Sequence, residues 1–261
     1  MDYSEVTEAV GNRITREALS MLYTRYWMAA SVGQGKDVLE VACGSGQGLG
    51  YLAGKANRVV GGDYTEKLLR TAQRHYRGRI PLVRLDAHEL PFKEGTFDLV
   101  ILYEAVYYLK RPEQFLAECN RVLRHQGIVL LCTANIECEN FTPSPLSTKH
   151  LGARELVELF NGKSFSIELY AAFPTIQDSW GNQLRAVVKQ VAFRLRLIPR
   201  KMKSKELLKR IFYGQLKAVP AEIKDGIVEL SPVSPIPLGA STSEFQVLYA
   251  VGHRQGKQMP K

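Results

Sequence analysis

The spacing of hydrophobic residues along this chain changes near residue 36. Residues 5–30 carry apolar side chains every three or four positions, as at Val10 and Ile14, and this period predicts a helix. From residue 37 onward, short apolar runs typical of strands alternate with amphipathic stretches typical of helices. Residues 1–35 are therefore predicted to form an N-terminal helical cap beside a domain of alternating strands and helices.

Five short apolar runs in the first half of the chain predict strands. They cover residues 37–42, 58–63, 81–85, 97–102 and 127–133. Helical patterns separate these runs, with Thr65 as the expected N-cap of one helix and Pro112 in the first turn of another. Strands and helices that alternate in this way form right-handed βαβ units around a parallel sheet, so the expected fold class is α/β.

The last two predicted strands, residues 164–173 and 244–251, lie far apart in the sequence. A connection this long is usually functional or has structure of its own. The expected divisions are a core at 36–173, an insertion at 174–243, a final strand at 244–253 and a tail at 254–261. Pro232, Pro235 and Pro237 predict a rigid loop at the end of the insertion.

The positive charge of the chain lies mostly in this insertion. The formal net charge is +9, and eleven of the 35 Lys and Arg residues fall between 181 and 217, with Glu206 as the single acid there. Apolar residues at helical spacing on both sides of Pro199 predict two basic amphipathic helices. They could form a lid with a solvated basic face or contact an anionic membrane. Nucleic acid is less favoured, because few aromatic residues interleave the charges.

A glycine-rich turn follows the first strand of the core and marks a candidate binding site. Its glycines are Gly44, Gly46 and Gly48. Glycines in such a turn let a ligand approach the backbone beside the start of a helix. Acidic residues stand at the ends of three successive strands, as Glu40, Asp63 and Asp86. Dinucleotide-binding folds use the same kind of turn, so the turn by itself leaves a nicotinamide oxidoreductase open.

Four segments, in order along the chain, resemble the signatures of class I S-adenosylmethionine (SAM)-dependent methyltransferases. They read LEVACGSG at 39–46, GGDYT at 61–65, DAHELPF at 86–92 and RVLRHQG at 121–127. The resemblance implies a Rossmann-like, seven-stranded, mostly parallel sheet with helices on both faces and a helical insertion before the last strand. It also implies SAM as the cofactor.

The resemblance assigns a role to each matching residue. Asp63 would bind the ribose hydroxyls, and Tyr64 would lie against the adenine. Asp86 and the backbone of Ala87 would hold the adenine edge, and Tyr103 would border the methionine end. The cofactor-binding residues implied in this way are Glu40, Ala42, Cys43, Gly44, Gly46, Asp63, Tyr64, Asp86, Ala87 and Tyr103.

Two of the departures from the family pattern concern the expected site. Ala42 stands where the family usually has its first glycine. Some relatives bind a metal through a Glu-His pair after the fourth strand, but here Glu104 is followed by Tyr107 and Tyr108, so no metal site is expected. The four cysteines show no CxxC spacing, which also argues against zinc.

Candidate catalytic residues follow from the reaction that the resemblance implies. Methyl transfer from a sulfonium is an in-line displacement, and much of its catalysis comes from positioning the acceptor. A hydroxyl acceptor also benefits from a base, for which the candidates are Tyr107, Tyr108 and His150. His75 and His88 are expected to be solvated.

The expected protein is a SAM-dependent methyltransferase that acts at oxygen of a small-molecule, sugar or lipid-linked acceptor. The alternatives are an RNA methyltransferase that uses the basic insertion and a SAM-binding regulator without turnover. The chain has no apolar run of about 18 residues and no secretory signal pattern. A cytoplasmic location is therefore expected, with a peripheral membrane contact through 181–217 left open. The oligomeric state also stays open.

Overall fold

The computed structural model describes residues 8–139, 141–143, 147–162, 164–175 and 216–256. The helices in these ranges are α1 (Arg16–Val32), α2 (Leu49–Ala53), α3 (Glu66–Tyr76), α4 (Pro112–Val122) and α5 (Ala153–Phe160). The strands are β1 (Arg13–Ile14), β2 (Asp37–Val41), β3 (Arg58–Asp63), β4 (Leu82–Arg84), β5 (Phe97–Tyr103), β6 (Leu123–Ala134), β7 (Phe165–Pro174), β8 (Lys217–Ala218), β9 (Val233–Ile236) and β10 (Phe245–Arg254). In the described ranges, no helix is long and apolar enough to cross a membrane.

Eight of the strands form one sheet in the order β4-β3-β2-β5-β6-β10-β7-β9. The first five strands in that order are parallel to one another. The other three, β10, β7 and β9, each run antiparallel to the strand before them. The predicted α/β class with a Rossmann-like, mostly parallel sheet is thereby confirmed. The sheet has eight strands rather than the predicted seven because β9 adds an edge strand.

Helices cover both faces of the sheet. α1, α2 and α3 pack on one face, where Leu19 and Leu52 are buried. α4 and α5 pack on the other face through residues such as Phe115 and Leu156. The near-continuous apolar run of β5 is buried against both cores, as is typical of a parallel strand with helices on both faces. Each large apolar side chain removed from water in this way contributes about 1.5–3 kcal/mol to folding.

Within the described residues, which begin at residue 8, the N-terminal helix begins at Arg16, later than the period of residues 5–30 predicted. Thr15 is the N-cap, and its side-chain oxygen accepts a hydrogen bond from the backbone N–H of Ala18 at 3.1 Å. Residues 8–15 run instead beside the glycine-rich turn and include β1, which pairs antiparallel with β8. The predicted cap is therefore helical only from residue 16 onward within the described residues.

The described part of the predicted insertion, residues 174–175 and 216–243, contains the end of β7 and short strands rather than helices. β9 pairs with β7 and places Pro235 opposite Tyr170, so the prediction of a rigid loop through the prolines is wrong. A proline fits in β9 because an edge strand has one side that needs no backbone N–H. Residues 176–215, which carry the two predicted basic helices, lie outside the described residues.

Candidate active site

A cleft of about 720 Å³ opens at the carboxyl-terminal edge of the parallel strands. The ends of β2, β3 and β5 and the turn after β4 form its floor, and α1 contributes to its wall. Because β3 and β5 flank β2 on opposite sides, the strand order reverses here, which is where open α/β sheets bind ligands. All the predicted cofactor residues except Gly46 line this cleft.

The turn after β2 exposes its backbone to the cleft through left-handed residues. Ala42 has a φ of 59° and Gly44 a φ of 56°, a region that favours glycine. A Cβ added at Gly44 would meet no atom within 4 Å, so the backbone here faces open space. A Cβ added at Gly46 would lie 3.0 Å from Cε2 of Tyr76 on α3. Gly46 therefore supports the turn from behind and does not line the cleft.

Asp63, at the end of β3, is bonded to this turn. Its Oδ2 accepts a hydrogen bond from the backbone N–H of Gly44 at 2.8 Å, and its Oδ1 accepts one from Thr65 at 2.7 Å. Burial raises the pKa of Asp63 in spite of these bonds. A carboxylate oxygen can accept a second hydrogen bond, so both oxygens retain capacity for ribose hydroxyls. Thr65 occupies the predicted N-cap of α3, but its side chain makes no capping bond.

Asp86, after β4, forms a compact turn with His88. Its Oδ1 accepts hydrogen bonds from the His88 backbone N–H at 2.8 Å and from the ring Nδ1 at 2.7 Å. The ring Nε2 accepts from the backbone N–H of Arg111 at 3.3 Å, which leaves the ring proton on Nδ1. Burial alone would raise the pKa of Asp86, but the bonds from His88 lower it. The side chain of His88 is 17% exposed, so the prediction that it is solvated is wrong.

Tyr64 and Ala87 complete the predicted nucleoside half of the cleft. Both residues line it, and Tyr64 is an exposed residue at its rim. The backbone oxygen of Tyr64 accepts a hydrogen bond from Nε of Arg84 at 3.3 Å. The structure thus brings Tyr64 and Ala87 together with Asp63 and Asp86, as the resemblance implied.

Glu40, in β2, is a buried acid with one oxygen free of hydrogen bonds. Its side chain is 1% exposed, and its Oε1 accepts a hydrogen bond from the Tyr26 hydroxyl at 2.5 Å. Its Oε2 has no partner. Burial raises the pKa of Glu40 to about 7, and Tyr26 and Arg25 limit this rise. Glu40 therefore presents an unsatisfied acceptor in the cleft wall, which a polar hydrogen of a ligand would satisfy.

Arg25, on α1, joins two carboxylates beside β5. Its guanidinium lies 2.6 Å from Glu8 and 3.2 Å from Glu104, and its side chain is 3% exposed. The Tyr103 hydroxyl donates a hydrogen bond to the backbone oxygen of Arg25 at 2.8 Å. Sequence reasoning missed Arg25 and Glu8. The available signal was an arginine three residues after Leu22, on the apolar face of a predicted helix.

Two of the three predicted catalytic residues, Tyr107 and Tyr108, line the cleft just beyond β5. The Tyr107 hydroxyl donates a hydrogen bond to Oε2 of Glu104 at 3.1 Å. His150 does not line the cleft. Its ring packs against Tyr107 and Phe141, with centroids 4.8 and 4.6 Å away, and burial lowers its pKa. His150 therefore contacts Tyr107 but does not itself face the cleft.

His75, the second histidine expected to be solvated, makes a specific contact. Its Nε2 lies 2.8 Å from a carboxylate oxygen of Glu222, which Arg79 also approaches at 3.3 Å. Next to Glu222, the backbone N–H of Ile223 donates to the backbone oxygen of Gln47 at 2.9 Å. The segment before β9 is therefore bound to the glycine-rich turn.

The residues of the cleft fit SAM. The open backbone at Gly44 provides a cradle, Asp63 and Asp86 provide acceptors for hydroxyl and amino groups, and Oε2 of Glu40 is a free buried acceptor. The cleft also has a size typical of small-molecule sites, which hold roughly 300–1,000 Å³. Within the described ranges, no group of three His, Cys, Asp or Glu side chains could hold a metal ion.

The fold and this site together define a Rossmann-like nucleotide-binding domain. Residues 39–131 match the sequence model of a family described as a methyltransferase domain. This part of the chain is therefore similar in sequence to SAM-dependent methyltransferases, and the residues of the cleft fit SAM as the cofactor.

Relatives and a solved structure agree with this assignment. A protein of Mycolicibacterium smegmatis, named as a probable SAM-dependent methyltransferase, is 37% identical over 141 residues, which are 51% of this chain and 53% of that protein. A phthiotriol/phenolphthiotriol dimycocerosates methyltransferase of Mycobacterium ulcerans is 39% identical over 99 residues, 37% of this chain and 36% of that protein. The chain thus matches about half the length of the first relative and less of the second. A SAM-dependent methyltransferase of Thermotoga maritima has a TM-score of 0.59 at 14% identity, over 92% of this chain and 94% of that one, which supports the fold.

Proposed function

We propose that this protein transfers the methyl group of SAM to a hydroxyl oxygen of a small-molecule, sugar or lipid-linked acceptor. The observation that carries the proposal is the continuity of one cleft. It runs from Asp63 and Asp86, which suit the nucleoside, past Glu104 to Tyr107 and Tyr108. A single cavity of this kind has room for donor and acceptor side by side.

The side chains of the cleft would orient the donor and take up a proton. SAM supplies an electrophilic methyl group on a sulfonium, so positioning provides much of the rate enhancement. Tyr107 is the candidate to receive the proton of the acceptor hydroxyl, because it lines the cleft and donates a hydrogen bond to Glu104, along which its own proton would pass to that carboxylate. Burial raises the pKa of Glu104, which makes this carboxylate a better proton acceptor.

A lipid-linked acceptor has support from the relative of Mycobacterium ulcerans, whose name assigns it phthiotriol and phenolphthiotriol dimycocerosates. The cleft wall also includes Leu22 and Leu109, which suit an acceptor with an apolar body. A membrane contact through residues 181–217 stays a prediction from the sequence.

The test is an assay of methyl transfer with SAM labelled on its methyl group. The acceptors are phenols, sugars, long-chain alcohols in vesicles, and transfer RNA. We expect label in a hydroxyl compound, and loss of that label in Asp63→Ala but not in Asp98→Asn, whose carboxylate lies outside the cleft. Tyr107→Phe should lower kcat more than it changes KM.

Three other outcomes of these experiments would each support a different function. Label in RNA alone would make the protein an RNA methyltransferase. Calorimetric binding of SAM without transfer to any acceptor class would make it a SAM-binding regulator. Binding of NAD in place of SAM would indicate an oxidoreductase.

A further inference from the structure

Four acidic side chains follow one another along the floor of the cleft. Asp86, Asp63, Glu40 and Glu104 come from β4, β3, β2 and β5 or the turns just after them, and these strands are neighbours in that order. Adjacent strands lie about 4.8 Å apart, so the four acids extend over roughly 15 Å. If Asp86 and Asp63 hold the nucleoside, Glu40 and Glu104 lie toward the methionine and the reacting sulfur.

The wall around Glu104 carries more negative than positive charge. Arg25 pairs with both Glu8 and Glu104, so one guanidinium faces two carboxylates. The side chain of Arg25 is 3% exposed and that of Glu104 is 23% exposed, so water screens this imbalance poorly. Lys110 and Arg111 also line the cleft, but both are exposed to solvent.

A buried carboxylate oxygen in the same wall, Oε2 of Glu40, has no hydrogen-bond partner. Glu104 itself has a φ of 49°, a strained conformation for a residue with a side chain. A buried carboxylate in excess over its cations is costly unless a further cation arrives. The wall is therefore suited to a positively charged group of a ligand.

We propose that Glu104 is a specificity-determining residue that stabilises the positive charge of the donor sulfonium. This inference deepens the proposed function and rests on it. Transfer of the methyl group would leave its bond electrons on sulfur and turn the sulfonium into a neutral thioether, so Glu104 would lose this second cation and keep only its ion pair with Arg25. The proton that the acceptor hydroxyl releases reaches Glu104 through Tyr107 and removes the carboxylate charge in the same reaction. The site thus favours the donor over the product, S-adenosylhomocysteine.

The test is calorimetric binding of SAM, of S-adenosylhomocysteine, and of sinefungin, in which an amine-bearing carbon replaces the methylated sulfur. Glu104→Gln should lower the ratio of the product Kd to the SAM Kd about tenfold relative to wild type, which equals about 1.4 kcal/mol. Sinefungin is cationic, so Glu104→Gln should change its Kd in the same direction as the Kd of SAM. Glu104→Asp keeps the charge and should keep most of the preference. The control is Glu158→Gln on α5, an exposed site that should leave the ratio unchanged.

An unchanged ratio in a folded Glu104→Gln variant would overturn the inference alone, since SAM would still bind and the proposed function would stand. An equal loss of the ratio in Glu104→Asp and Glu104→Gln would also overturn it, because shape rather than charge would be responsible. Failure of the wild-type protein to bind SAM would overturn both this inference and the proposed function.

Discussion

The backbone N–H of Gly44 donates a hydrogen bond to Oδ2 of Asp63 at 2.8 Å, which joins two positions 19 residues apart. The bond connects the turn after β2 with the end of β3. The carboxylate expected to hold the ribose therefore also determines the shape of the turn. A change at Asp63 should affect ligand affinity and local stability together.

Asp63→Ala is expected to raise the Kd for SAM roughly tenfold to a hundredfold, because a hydrogen bond to a charged acceptor contributes about 1.5–3 kcal/mol. The free energy of unfolding should fall by about 1–3 kcal/mol, since the N–H groups of Gly44 and Thr65 lose their acceptor. Calorimetry and urea titration measure the two effects. Asp98→Asn is the control, because it disturbs the 2.8 Å ion pair with Arg124 outside the cleft and should leave the Kd unchanged.

The free energy of unfolding should fall as the pH rises through the titration range of Glu40. Burial raises the pKa of this carboxyl from 4.5 to about 7, so the unfolded chain ionises it at a lower pH than the folded chain does. Ionisation therefore favours unfolding between these two pH values. Urea titrations of the SAM-free protein at pH 5 and pH 8 should show a larger loss for wild type than for Glu40→Gln, by about 2 kcal/mol. Equal losses would contradict the prediction.

Gly48→Ala should destabilise the protein, because the backbone at Gly48 touches the ring of Tyr26. An added Cβ would lie 1.8 Å from Cε1 of that ring, which is buried and hydrogen-bonded to Glu40. We expect a loss of about 2–3 kcal/mol and weaker SAM binding as the ring moves. Gly54→Ala is the matched control, since its nearest atom is 3.6 Å away. A melting temperature that falls equally in both variants would refute the prediction.

Ala42→Gly should be slightly stabilising, which is unusual for this substitution. The left-handed φ of 59° costs an alanine about 1–2 kcal/mol, more than the roughly 0.4–1 kcal/mol that glycine adds to the entropy of unfolding. Ala117→Gly, at an exposed position in α4, should instead lose about 1 kcal/mol. Chemical denaturation compares the two, and a similar loss in both would mean that Ala42 carries no strain.

The parallel half of the sheet could be predicted because each of its strands and helices has a recognisable pattern within its own short stretch of sequence. Each strand from β2 to β6 is an apolar run bounded by a turn, and every helix between them has its own period. β9 lacked such a pattern. It is four residues long, contains Pro235, and exists only because β7, some sixty positions earlier, offers it an edge. Pairing at that distance leaves no trace in local periodicity.

Some residues of the candidate site could likewise be predicted from the sequence, and others could not. Asp63, Asp86 and the glycine-rich turn stand at strand ends, where the topology alone brings them together. The role of Arg25 depends on its ion pairs with Glu8 and Glu104, which lie 17 and 79 positions away in the sequence. The contact of His75 with Glu222 spans 147 positions. Such partners depend on how the N-terminal segment and the chain before β9 pack, which residue spacing does not encode.

The position of β10 has a consequence for how the protein is made. This strand is the last of the described elements, yet it lies between β6 and β7 and pairs with both. The ribosome must therefore synthesise residues 245–254 before the antiparallel half of the sheet can assemble. Until then the edge of β6 that β10 covers is unpaired, and an unpaired strand edge of this kind is a site where another chain can pair.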